Sequence, residues 1–596
     1  MSDTKSKGFL YNWSFLLLVI VGLVFVNVIG SIIYFRWDAT EDKRYSLAEG
    51  TENYLSDDSN FPNRLSIKIY LEGNLPAEIK RYKNAIEDKL KEFKQFTGNR
   101  LEYTFVDPNP MDGTEEDQQS LFETIYNKGK GIVPMEIMFM KDGSQNQMML
   151  WPGAEIDYEG STVNYVQLLP GTPQGKFYTL NQQFEAQIQN SINNLEYMLL
   201  SAIRRATQKT KPRIAFLQGH GELTYAATQR VRTLISPYYT VEDITLNDSL
   251  DALKGVKGLV IARPTKPFSE KDKYIIDQFL MRGGRLMCFI DKLVIPEDTL
   301  NKNGYTHTTR NMIELDKMLF DYGVKVNDNL VFDVQCAPKA IPTAKQMLIP
   351  WFFAVRSTPT SHPIARNIDP VLLQYTSQIE FVGNGNQVKR PVLTSSTNSA
   401  VTGLAPLISL IMYKNYGPNP HLNPNIEDES NKQCIAGVVE GNFESHFKNR
   451  IVDAFAKNPE IDYKEKSTKE GKVFVVGNGS FIANKYDSIL DKNGQYLYRA
   501  RAFNELKMDE TMASLNMQPI VYGNQEFFQN MVDYMMGDNS VLDVRSRQID
   551  IHAIDKEKVK VEASYYKFIN MLLPSAIIVV LAAIIFFIRK RKYTGF

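Results

Sequence analysis

Two long apolar segments, one near each end, constrain this chain more than any other feature of its sequence. Residues 15–33 are apolar except for four small or polar positions, and residues 571–588 carry a single polar side chain, Ser575. Each segment has the length, about 20 residues, that an α-helix needs to cross a bilayer. We expect Pro574 in the first turn of the second helix, where a missing N–H costs little. The sequence therefore predicts two transmembrane helices.

The charges beside these segments predict how the chain lies across the membrane. Four basic residues, 589–592, follow the second segment, and by the positive-inside rule they remain in the cytoplasm. We expect cytoplasmic tails over 1–12 and 589–596, helices over 13–35 and 569–588, and the body on the other side of the lipid bilayer. A cleaved signal peptide is the alternative for the first segment, but it would have a shorter apolar core and a small-residue cleavage site.

The overall composition limits the partners and the chemistry. The chain has 68 Lys and Arg residues and 68 Asp and Glu residues, so its charge indicates no nucleic-acid partner. Its three cysteines are far apart and lack the spacing of a redox pair or a zinc site. We expect Cys288, which lies in an apolar run, in the core. A disulfide between Cys336 and Cys434 remains open in an oxidising compartment.

The first part of the body shows a strand, helix, strand pattern. Residues 65–71 alternate between apolar and polar, residues 76–98 carry an apolar stripe at helical spacing, and residues 101–105 alternate again. A further helix around Leu121 precedes two strand-like runs, 135–140 and 147–151, which we expect to form a hairpin of this domain joined at Asp142 and Gly143. This order resembles a thioredoxin-like domain, which we assign to residues 36–180.

The thioredoxin-like assignment makes two further predictions. Pro134 precedes the strand-like run 135–140, where that fold commonly has a cis proline, so we predict a cis peptide bond between Val133 and Pro134. A Cys-x-x-Cys pair is absent from the sequence, so the domain cannot exchange disulfides. We expect it to be a scaffold or a binding surface.

The rest of the body alternates strands and helices, which is typical of a parallel sheet. Residues 181–210 predict one long amphipathic helix that connects two domains. Residues 211–304 and 473–545 together predict a flavodoxin- or Rossmann-like domain, and 305–472 form a β-rich insertion or a second α/β subdomain. Residues 546–568 are the juxtamembrane segment. The predicted fold class is α/β, with terminal transmembrane helices flanking a thioredoxin-like domain and a parallel-sheet domain with a β-rich insertion.

A glycine-rich turn is the best local candidate for a site. Gly219, His220, Gly221 and Glu222 follow a predicted strand and precede a helix, at the edge of a parallel sheet where ligands usually bind. His220 and Glu222 suit acid-base chemistry or a polar ligand. The alternative is a tight strand-to-helix turn. Because no nucleophile elbow supplies an attacking group, we predict no catalytic residue.

Two further polar residues follow other predicted strands of the same sheet. Asp291 comes directly after residues 285–290, and Asn478 comes shortly after residues 473–476. Both are candidates to face the same crevice as His220, because the carboxyl ends of parallel strands meet at one edge. The alternative is that each caps the turn that follows it. Together with the glycine-rich turn they form the predicted ligand-binding set.

The sequence indicates neither a metal nor a cofactor. Residues 171–177 look superficially like a phosphate loop but lack the glycine spacing and the Ser or Thr after Lys176 that such a loop requires. The six histidines are scattered and form no pair at metal-ligand spacing. Any ATP hydrolysis therefore belongs to a partner.

Six segments occur in a fixed order along the chain between or beside the two predicted spans. They are residues 38–51 (DATEDKRYSLAEGT), 103–108 (YTFVDP), 213–222 (RIAFLQGHGE), 283–291 (GGRLMCFID), 475–484 (VVGNGSFIAN) and 530–547, which end in DVRSR. With these segments in this order, nearly the whole chain resembles the GldG-like auxiliary component of the gliding-motility ABC transporter of Bacteroidota.

This resemblance implies an inner-membrane protein with a periplasmic body, a multispan permease-like partner resembling GldF and a cytoplasmic ATPase resembling GldA. It also implies a role in gliding motility, linked to surface-protein secretion, and it supplies no catalytic residues. We expect a non-enzymatic, substrate-binding-type subunit. The alternatives are a membrane-tethered hydrolase or amidotransferase-like enzyme that uses the turn from Gly219 to Glu222, and a mechanical tether between the ATPase complex and the cell envelope.

Overall fold

The computed structural model describes most of the chain. The described residues are 17–18, 20–25, 46–60, 62–108, 132–141, 144–159, 164–169, 178–180, 182–341, 347–383, 385–412, 429–448, 463–490, 494–537, 542, 544–545 and 556–593. The predicted helix around Leu121 and the loop 171–177 lie outside them. The first predicted span also lies outside them, except for residues 17–18 and 20–25, which are helical. The chain forms a larger unit, residues 1–38 and 45–547, and a smaller unit, residues 39–44 and 548–596, which we call the C-terminal unit.

The first module lies at the start of the larger unit. It contains seven strands among its described residues, and four of them form a mixed sheet. Its helices are α1 (Glu49–Ser56), α2 (Ala77–Thr97) and α3 (Gln182–Thr207), and its strands are β1 (Leu65–Ile69), β2 (Leu101–Phe105), β3 (Met135–Lys141), β4 (Ser144–Leu150), β5 (Gly153–Tyr158), β6 (Asn164–Gln167) and β7 (Tyr178–Thr179). The sheet order is β2-β1-β5-β6, with β1 parallel to β2 and antiparallel to β5. The alternation that predicted β1 is confirmed, because Leu65, Ile67 and Ile69 are fully buried.

The long helix predicted after this sheet is present as α3. Its residues Leu195, Leu199 and Ile203 are buried in the same core as Ile86 and Leu90 of α2. The apolar stripes predicted for the two helices therefore face each other. The pair of helices covers one side of the first module.

The predicted hairpin of this module is confirmed, but its place in the fold differs from the expectation. Strands β3 and β4 form a separate three-stranded sheet of order β4-β3-β7. The position beside β1 is taken by β5, whose Ile156 pairs with Ile67. Ala154, Ile156 and Tyr158 of β5 are all buried, so this strand supplies the apolar face that the hairpin was expected to supply.

The predicted cis peptide bond is wrong. The described residues contain no cis peptide bond, so Val133 and Pro134 are joined in trans. The side chain of Gln167 holds this segment: its Oε1 accepts from Val133 N at 2.7 Å and its Nε2 donates to Val133 O at 3.0 Å. An extended trans backbone satisfies both bonds, and the proline stands before the separate hairpin rather than before a strand of the main sheet.

The second module contains 21 strands among its described residues, and eight of them form its large sheet. Its strands are β8 (Arg213–Leu217), β9 (Thr240–Ile244), β10 (Val256–Ala262), β11 (Arg285–Phe289), β12 (Leu293–Val294), β13 (Tyr305–His307), β14 (Thr309–Arg310), β15 (Val324–Val326), β16 (Val331–Asp333), β17 (Cys336–Ala340), β18 (Leu348–Arg356), β19 (Thr358–Pro359), β20 (Leu372–Gln374), β21 (Ile379–Phe381), β22 (Val388–Thr394), β23 (Ser399–Val401), β24 (Leu407–Ser409), β25 (Cys434–Gly441), β26 (Gly471–Val476), β27 (Tyr486–Leu490) and β28 (Tyr496–Ala500). Its helices are α4 (Tyr225–Ile235), α5 (Glu270–Met281), α6 (Glu297–Asn303), α7 (Asp316–Asp321), α8 (Glu510–Ser514) and α9 (Asn524–Met536).

The large sheet is mostly parallel, as the sequence predicts. Its order is β19-β22-β25-β26-β11-β10-β8-β9, and the five strands from β26 to β9 run parallel. The predicted cap of α5 is confirmed, because the Ser269 side chain accepts from Asp272 N. Gly283, with a φ of 87°, follows the end of that helix as expected.

The segment expected as an insertion is rich in short strands, but it is not separate from the sheet. Strands β19, β22 and β25 extend the large sheet by antiparallel pairing beyond β26. Five consecutive residues of β25, 435–439, are buried, which is typical of a central strand. Because β25 pairs with β26, β26 is not an unpaired edge strand of the sheet.

The three cysteines are free, so the open disulfide between Cys336 and Cys434 does not form. Cys336 lies on β17 in a small sheet with β18 and β20, whereas Cys434 begins β25 in the large sheet. Cys288 is fully buried in the core, as predicted.

The C-terminal unit contains α10 (Lys556–Tyr593), the second predicted span. Within it, Glu562–Arg591 is long and apolar enough to cross a membrane, with none of its most apolar window buried inside the structure. The helix begins well before the predicted start at 569, so Pro574 lies in the helix interior and not in the first turn. Apolar helices that cross membranes tolerate such a proline, because side-chain hydroxyls and neighbouring helices satisfy the freed backbone groups. The carbonyl that Pro574 leaves without its helical donor is that of Asn570, and Ser575 Oγ donates to the next carbonyl, Met571 O, at 3.0 Å.

Candidate functional site

The candidate residues lie where the parallel strands end. Strand β8 has β9 on one side and β10 on the other, so the sheet changes its direction of growth between β8 and β10. In open α/β sheets, ligands bind in the crevice at such a switch point. The turn after β8 and the loop after β10 therefore decide whether a crevice exists here.

The turn after β8 takes its shape from two glycines. Gly219 and Gly221 have φ values of 125° and 74°, which residues with a side chain rarely adopt. Leu223 N then donates to Ala262 O at 2.9 Å, at the end of β10. Helix α4 begins directly afterwards, with the Thr224 side chain as its cap. The backbone here forms a tight strand-to-helix turn.

His220 lies between two carboxylates. Its Nδ1 is 3.2 Å from Glu222 Oε1, and its Nε2 is 3.3 Å from Asp272 Oδ2. Its backbone N–H donates to Glu222 Oε2 at 2.7 Å, and its ring stacks on Phe268 at a centroid distance of 3.8 Å. Burial lowers the pKa of His220, but the hydrogen bonds to the two carboxylates outweigh burial and raise this pKa above its usual range. The imidazolium form is therefore favoured, with both N–H groups occupied.

The two loops at the switch point are joined to each other. The carbonyl oxygen of His220 accepts hydrogen bonds from the backbone N–H groups of Thr265 and Lys266, both at 2.8 Å. Thr265 Oγ1 donates to Gly221 O at 3.1 Å, and a Cβ at Gly221 would collide with this hydroxyl. Contact this close leaves no space between the two loops at these residues.

The hydroxyl groups around His220 are held in other bonds. Thr265 Oγ1 donates to the backbone, and Ser269 Oγ donates to Asp272 Oδ2 at 2.6 Å. A serine or threonine nucleophile needs a base that accepts its proton. Neither hydroxyl has that relationship with the imidazole of His220, so this constellation is a charge-paired turn and not a nucleophile-base pair.

Asp291 is the centre of a second cluster. Its Oδ1 accepts from Asn478 Nδ2 at 3.1 Å and from Gly479 N at 2.5 Å, and its Oδ2 accepts from Arg263 Nε at 3.0 Å. Burial raises the pKa of Asp291, and these donors oppose the rise. The carboxylate thereby joins the ends of β10, β11 and β26.

Asn478 is almost fully buried and completes the closure on the side of β26. Besides Asp291, its Nδ2 reaches Gln374 O at 2.5 Å. The neighbouring Gly477 packs so closely that a Cβ there would collide with the carbonyl oxygen of Ser377. The Nδ2 group of Asn478 is thus directed at its neighbours, whereas its buried Oδ1 has no hydrogen-bond partner among the described residues.

All six predicted residues lie at one sheet edge, but in two clusters. Gly219, His220, Gly221 and Glu222 belong to the first cluster, and Asp291 and Asn478 belong to the second. The loop after β10 links the clusters, because its Arg263 contacts Asp291 and its Thr265 contacts Gly221. Among the described residues, no group of three or more His, Cys, Asp or Glu side chains is placed to hold a metal ion.

Sequence reasoning missed two members of these clusters. Asp272 lies three residues after the cap Ser269, which is a capping-box position and therefore indicated a helix start rather than a contact with His220. Arg263 directly follows β10, so the rule that selected Asp291 would also have selected it. Its φ of 56° is uncommon for a residue with a side chain.

A groove of about 710 Å³ lies in the first module, away from this edge. It runs between residues 74–78 at the start of α2 and the hairpin of β3 and β4, including Met138 and residues 145–148. Its lining combines methionine, leucine and amide side chains. Such a surface suits an extended or adaptable partner more than a small charged ligand.

Comparisons with known proteins match both modules. Residues 211–508, half of the chain, match the family described as ABC-type uncharacterized transport system. Residues 41–157 match a domain family of unknown function. An uncharacterized protein of Borreliella burgdorferi is 22% identical over 509 residues, which cover 84% of this chain and 89% of that protein. Among solved structures, the mmIFT52 N-terminal domain matches over 57% of this chain and 100% of its own length, with 12% identity and a TM-score of 0.30.

Proposed function

The chain belongs to the ABC-type uncharacterized transport system family, and we propose that it is the non-enzymatic, membrane-anchored auxiliary subunit of such a transporter. Family membership makes it an auxiliary component of an ABC-type transport system. Its long apolar helix α10 supports anchoring in the membrane. The finer assignments below concern what it does within that system.

The observation that carries the non-enzymatic assignment is that the two loops at the switch point are hydrogen-bonded to each other. Where a parallel sheet would open to a ligand, the carbonyl of His220 is bonded to the backbone of Thr265 and Lys266. An active site needs a reacting group and room for a substrate beside it. The charged side chains here pair with one another instead, which supports a structural role for this turn.

The partners we propose are a multispan permease-like subunit resembling GldF and a cytoplasmic ATPase resembling GldA. The proposed system is the inner-membrane complex of gliding motility, linked to surface-protein secretion, with the body of this chain in the periplasm and both tails in the cytoplasm. The six sequence segments named above support this placement. The groove of the first module supports engagement of a substrate or partner there.

The proposed fold assignments follow from the sheet orders. In the first module, β1, α2 and β2 form a parallel unit, and β5 and β6 continue the sheet in antiparallel fashion, followed by α3. This order supports a thioredoxin-like scaffold, with β5 in the place first given to the hairpin. In the second module, the parallel strands with intervening α4 and α5 support a Rossmann-like core.

Purification in mild detergent tests the proposed function. The tagged full chain is isolated from its native membrane, and the proteins that accompany it are identified by mass spectrometry. We expect a multispan subunit and an ATPase in constant ratio. The control is a chain in which an unrelated apolar helix of equal length replaces residues 571–588, so that anchoring is kept. Recovery of the unaltered chain as a lone monomer would contradict the proposal.

A second test separates this function from the hydrolase alternative. His220→Gln and Glu222→Gln remove the groups that acid-base chemistry would require while keeping polar side chains in the turn. For a non-enzymatic subunit we expect any loss of gliding to follow loss of folding or of complex assembly. A variant that folds and assembles normally but does not glide would favour the enzyme or a ligand site at this turn.

A mechanical role is the second candidate, and one observation favours it. Arg545, close to the start of the C-terminal unit, is held inside the larger unit by Asp533, Asn530 and Tyr197. Tyr197 belongs to α3 and Asp533 to α9, so one side chain holds both modules. A force applied to the chain beyond Arg545 would act on this point.

A further inference from the structure

The hairpin formed by β27 and β28 is exposed over most of its length. Its two strands form a sheet of their own, and nine of their ten residues are exposed. A two-stranded hairpin in isolation is marginally stable in water. Its exposed apolar side chains are Tyr486 (39%), Ile489 (52%), Leu490 (58%), Tyr496 (62%), Leu497 (57%) and Tyr498 (54%).

The strand register places these side chains on both faces of the hairpin. Leu490 pairs with Tyr496, and the Tyr486 and Tyr498 rings meet edge to face at 5.7 Å on the same face. Ile489 pairs with Leu497 on the opposite face. Since side chains alternate along a strand, both faces carry an apolar patch.

The root of the hairpin is fixed to the body, so its direction is defined. Ala500 N donates to Gln229 Oε1 of α4 at 2.8 Å. Arg230 of the same helix donates to the carbonyl oxygens of Arg501 and Phe503. The hairpin therefore projects from the second module, and its base is fixed to α4.

The exposed area is of the size that a specific interface uses. Three tyrosines and three aliphatic side chains, each about half exposed, present roughly 600 Å² of apolar surface. A standard protein interface buries about 800 Å² on each partner. Tyrosine is also among the residues that contribute most to binding energy at such interfaces.

The charges and the shape of the hairpin indicate which kind of partner binds it. The tyrosine face carries no ionised side chain. On the other face, Asp487 lies opposite the exposed Arg499 and pairs with Arg501 at 3.0 Å, and the apolar residues there are Ile489 and Leu497. An apolar surface is therefore matched best by the tyrosine face and by the Ile489–Leu497 pair. A flat bilayer or a second copy of the hairpin stacked on one face would cover only one of the two patches. In the sequence, Asp491 and Lys492 lie between the two strands, and such charged residues are costly to insert into hydrocarbon.

We propose that the hairpin inserts into an apolar cleft of a protein, which contacts the tyrosine face on one side and the Ile489–Leu497 pair on the other. The proposal rests on the proposed function in one respect: that protein is the membrane-embedded subunit of the same transport system. The cleft buries Tyr496 and Leu497 together, although they point in opposite directions. The hairpin is then the docking element of the body, separate from the charge-paired sheet edge.

Site-specific photo-crosslinking of the full chain in its native membrane tests this proposal. A photoreactive phenylalanine analogue replaces Tyr496 in one variant, Leu497 in a second and Leu404, an exposed leucine outside the hairpin (80%), in a control. We expect both hairpin positions to crosslink to the same multispan subunit, identified by mass spectrometry, and the control position not to do so. Crosslinking from one face only, to lipid, to a second copy of this chain or to nothing would overturn the proposal.

A pair of threonine substitutions gives an independent measurement. Ile489→Thr with Leu497→Thr removes apolar surface from one face but keeps residues that favour strands. We expect at least a tenfold loss of the multispan subunit recovered with the chain, and no loss for Leu404→Thr. Unchanged recovery would overturn the docking role while leaving the proposed function intact. Absence of transporter subunits from the unaltered chain would instead contradict the proposed function.

Discussion

Arg545 donates a hydrogen bond to the carboxylate of Asp533 at 3.1 Å inside the larger unit. The Asp533 side chain is 1% exposed and also accepts from Tyr239 Oη at 2.8 Å, with Arg204 Nη1 at 3.8 Å. Arg204 lies on α3 of the first module, whereas Tyr239 and Asp533 belong to the second. One buried carboxylate therefore binds the two modules and the last described residue of this unit together.

Replacing Arg545 with methionine is expected to destabilise the larger unit. The substitution removes a partner of a buried carboxylate, a change that costs about 3 kcal/mol in other proteins. We expect the apparent Tm of the detergent-purified full chain to fall by several degrees. The control Arg366→Met removes an exposed arginine and should leave the Tm unchanged. Equal Tm values for Arg545→Met and the unaltered chain would show that this cluster does not hold the modules.

Gly221→Ala is expected to disrupt the joined loops at the switch point. The new Cβ would collide with the Thr265 hydroxyl, and the φ of 74° disfavours any side chain. The control Gly304→Ala has a left-handed backbone with a φ of 79° and open space around it, so it measures the backbone strain alone, about 1–2 kcal/mol. We expect Gly221→Ala to lower the Tm more than this control. Adding Thr265→Ala should restore part of the difference, and failure to do so would mean that the contact is not limiting.

The charged form of His220 is expected to stabilise the protein at low pH. Its folded pKa is raised above the ordinary value of 6.5, so its contribution is complete below about pH 6.5 and is lost as the pH rises through the folded pKa. The Tm difference between the unaltered chain and His220→Gln should therefore shrink as the pH rises from about 6 to about 9. A difference that is constant with pH would show that the two carboxylates do not hold a charged imidazole.

His362 is expected to give the opposite slope. Burial lowers its pKa to about 4, and its Nδ1 accepts from Ile364 N at 3.3 Å, which requires the neutral form. The contribution of neutral His362 is complete above about pH 6.5 and is lost as the pH falls toward 4. His362→Asn keeps an acceptor but cannot gain a proton. Its Tm should fall less steeply than that of the unaltered chain between about pH 6.5 and 4.5, and parallel curves would contradict this assignment.

The sequence was a good guide to individual elements and a poor guide to their neighbours. Alternation predicted β1 and helical spacing predicted α3, because these patterns record which side of an element is buried. The same patterns did not show that β5 would displace the hairpin beside β1. They also did not show that β22 and β25 would join the large sheet. Strand pairing over long sequence separations leaves no periodic signal in either partner.

The candidate site divides in the same way. The glycines at 219 and 221 showed that a tight turn follows β8, since few other residues adopt those backbone angles. Nothing beside His220 in the sequence indicated Asp272, which lies 52 positions away and reaches the imidazole only because β8 and α5 pack at one sheet edge. The error about Pro574 has a local cause instead. Polar residues precede the apolar segment, so the sequence did not indicate that α10 begins as early as Lys556.

By itself, the sequence determined that the chain has an apolar C-terminal helix long enough to span a membrane and a body of alternating strands and helices. Length, hydropathy and periodicity are local properties, so they survive without knowledge of the fold. Only the tertiary structure decided that the glycine-rich turn is joined to the loop after β10, and that Asp533 holds Arg545. Each of these contacts joins residues that are distant in the chain, so it exists only once the sheet order and the packing of the helices have brought them together.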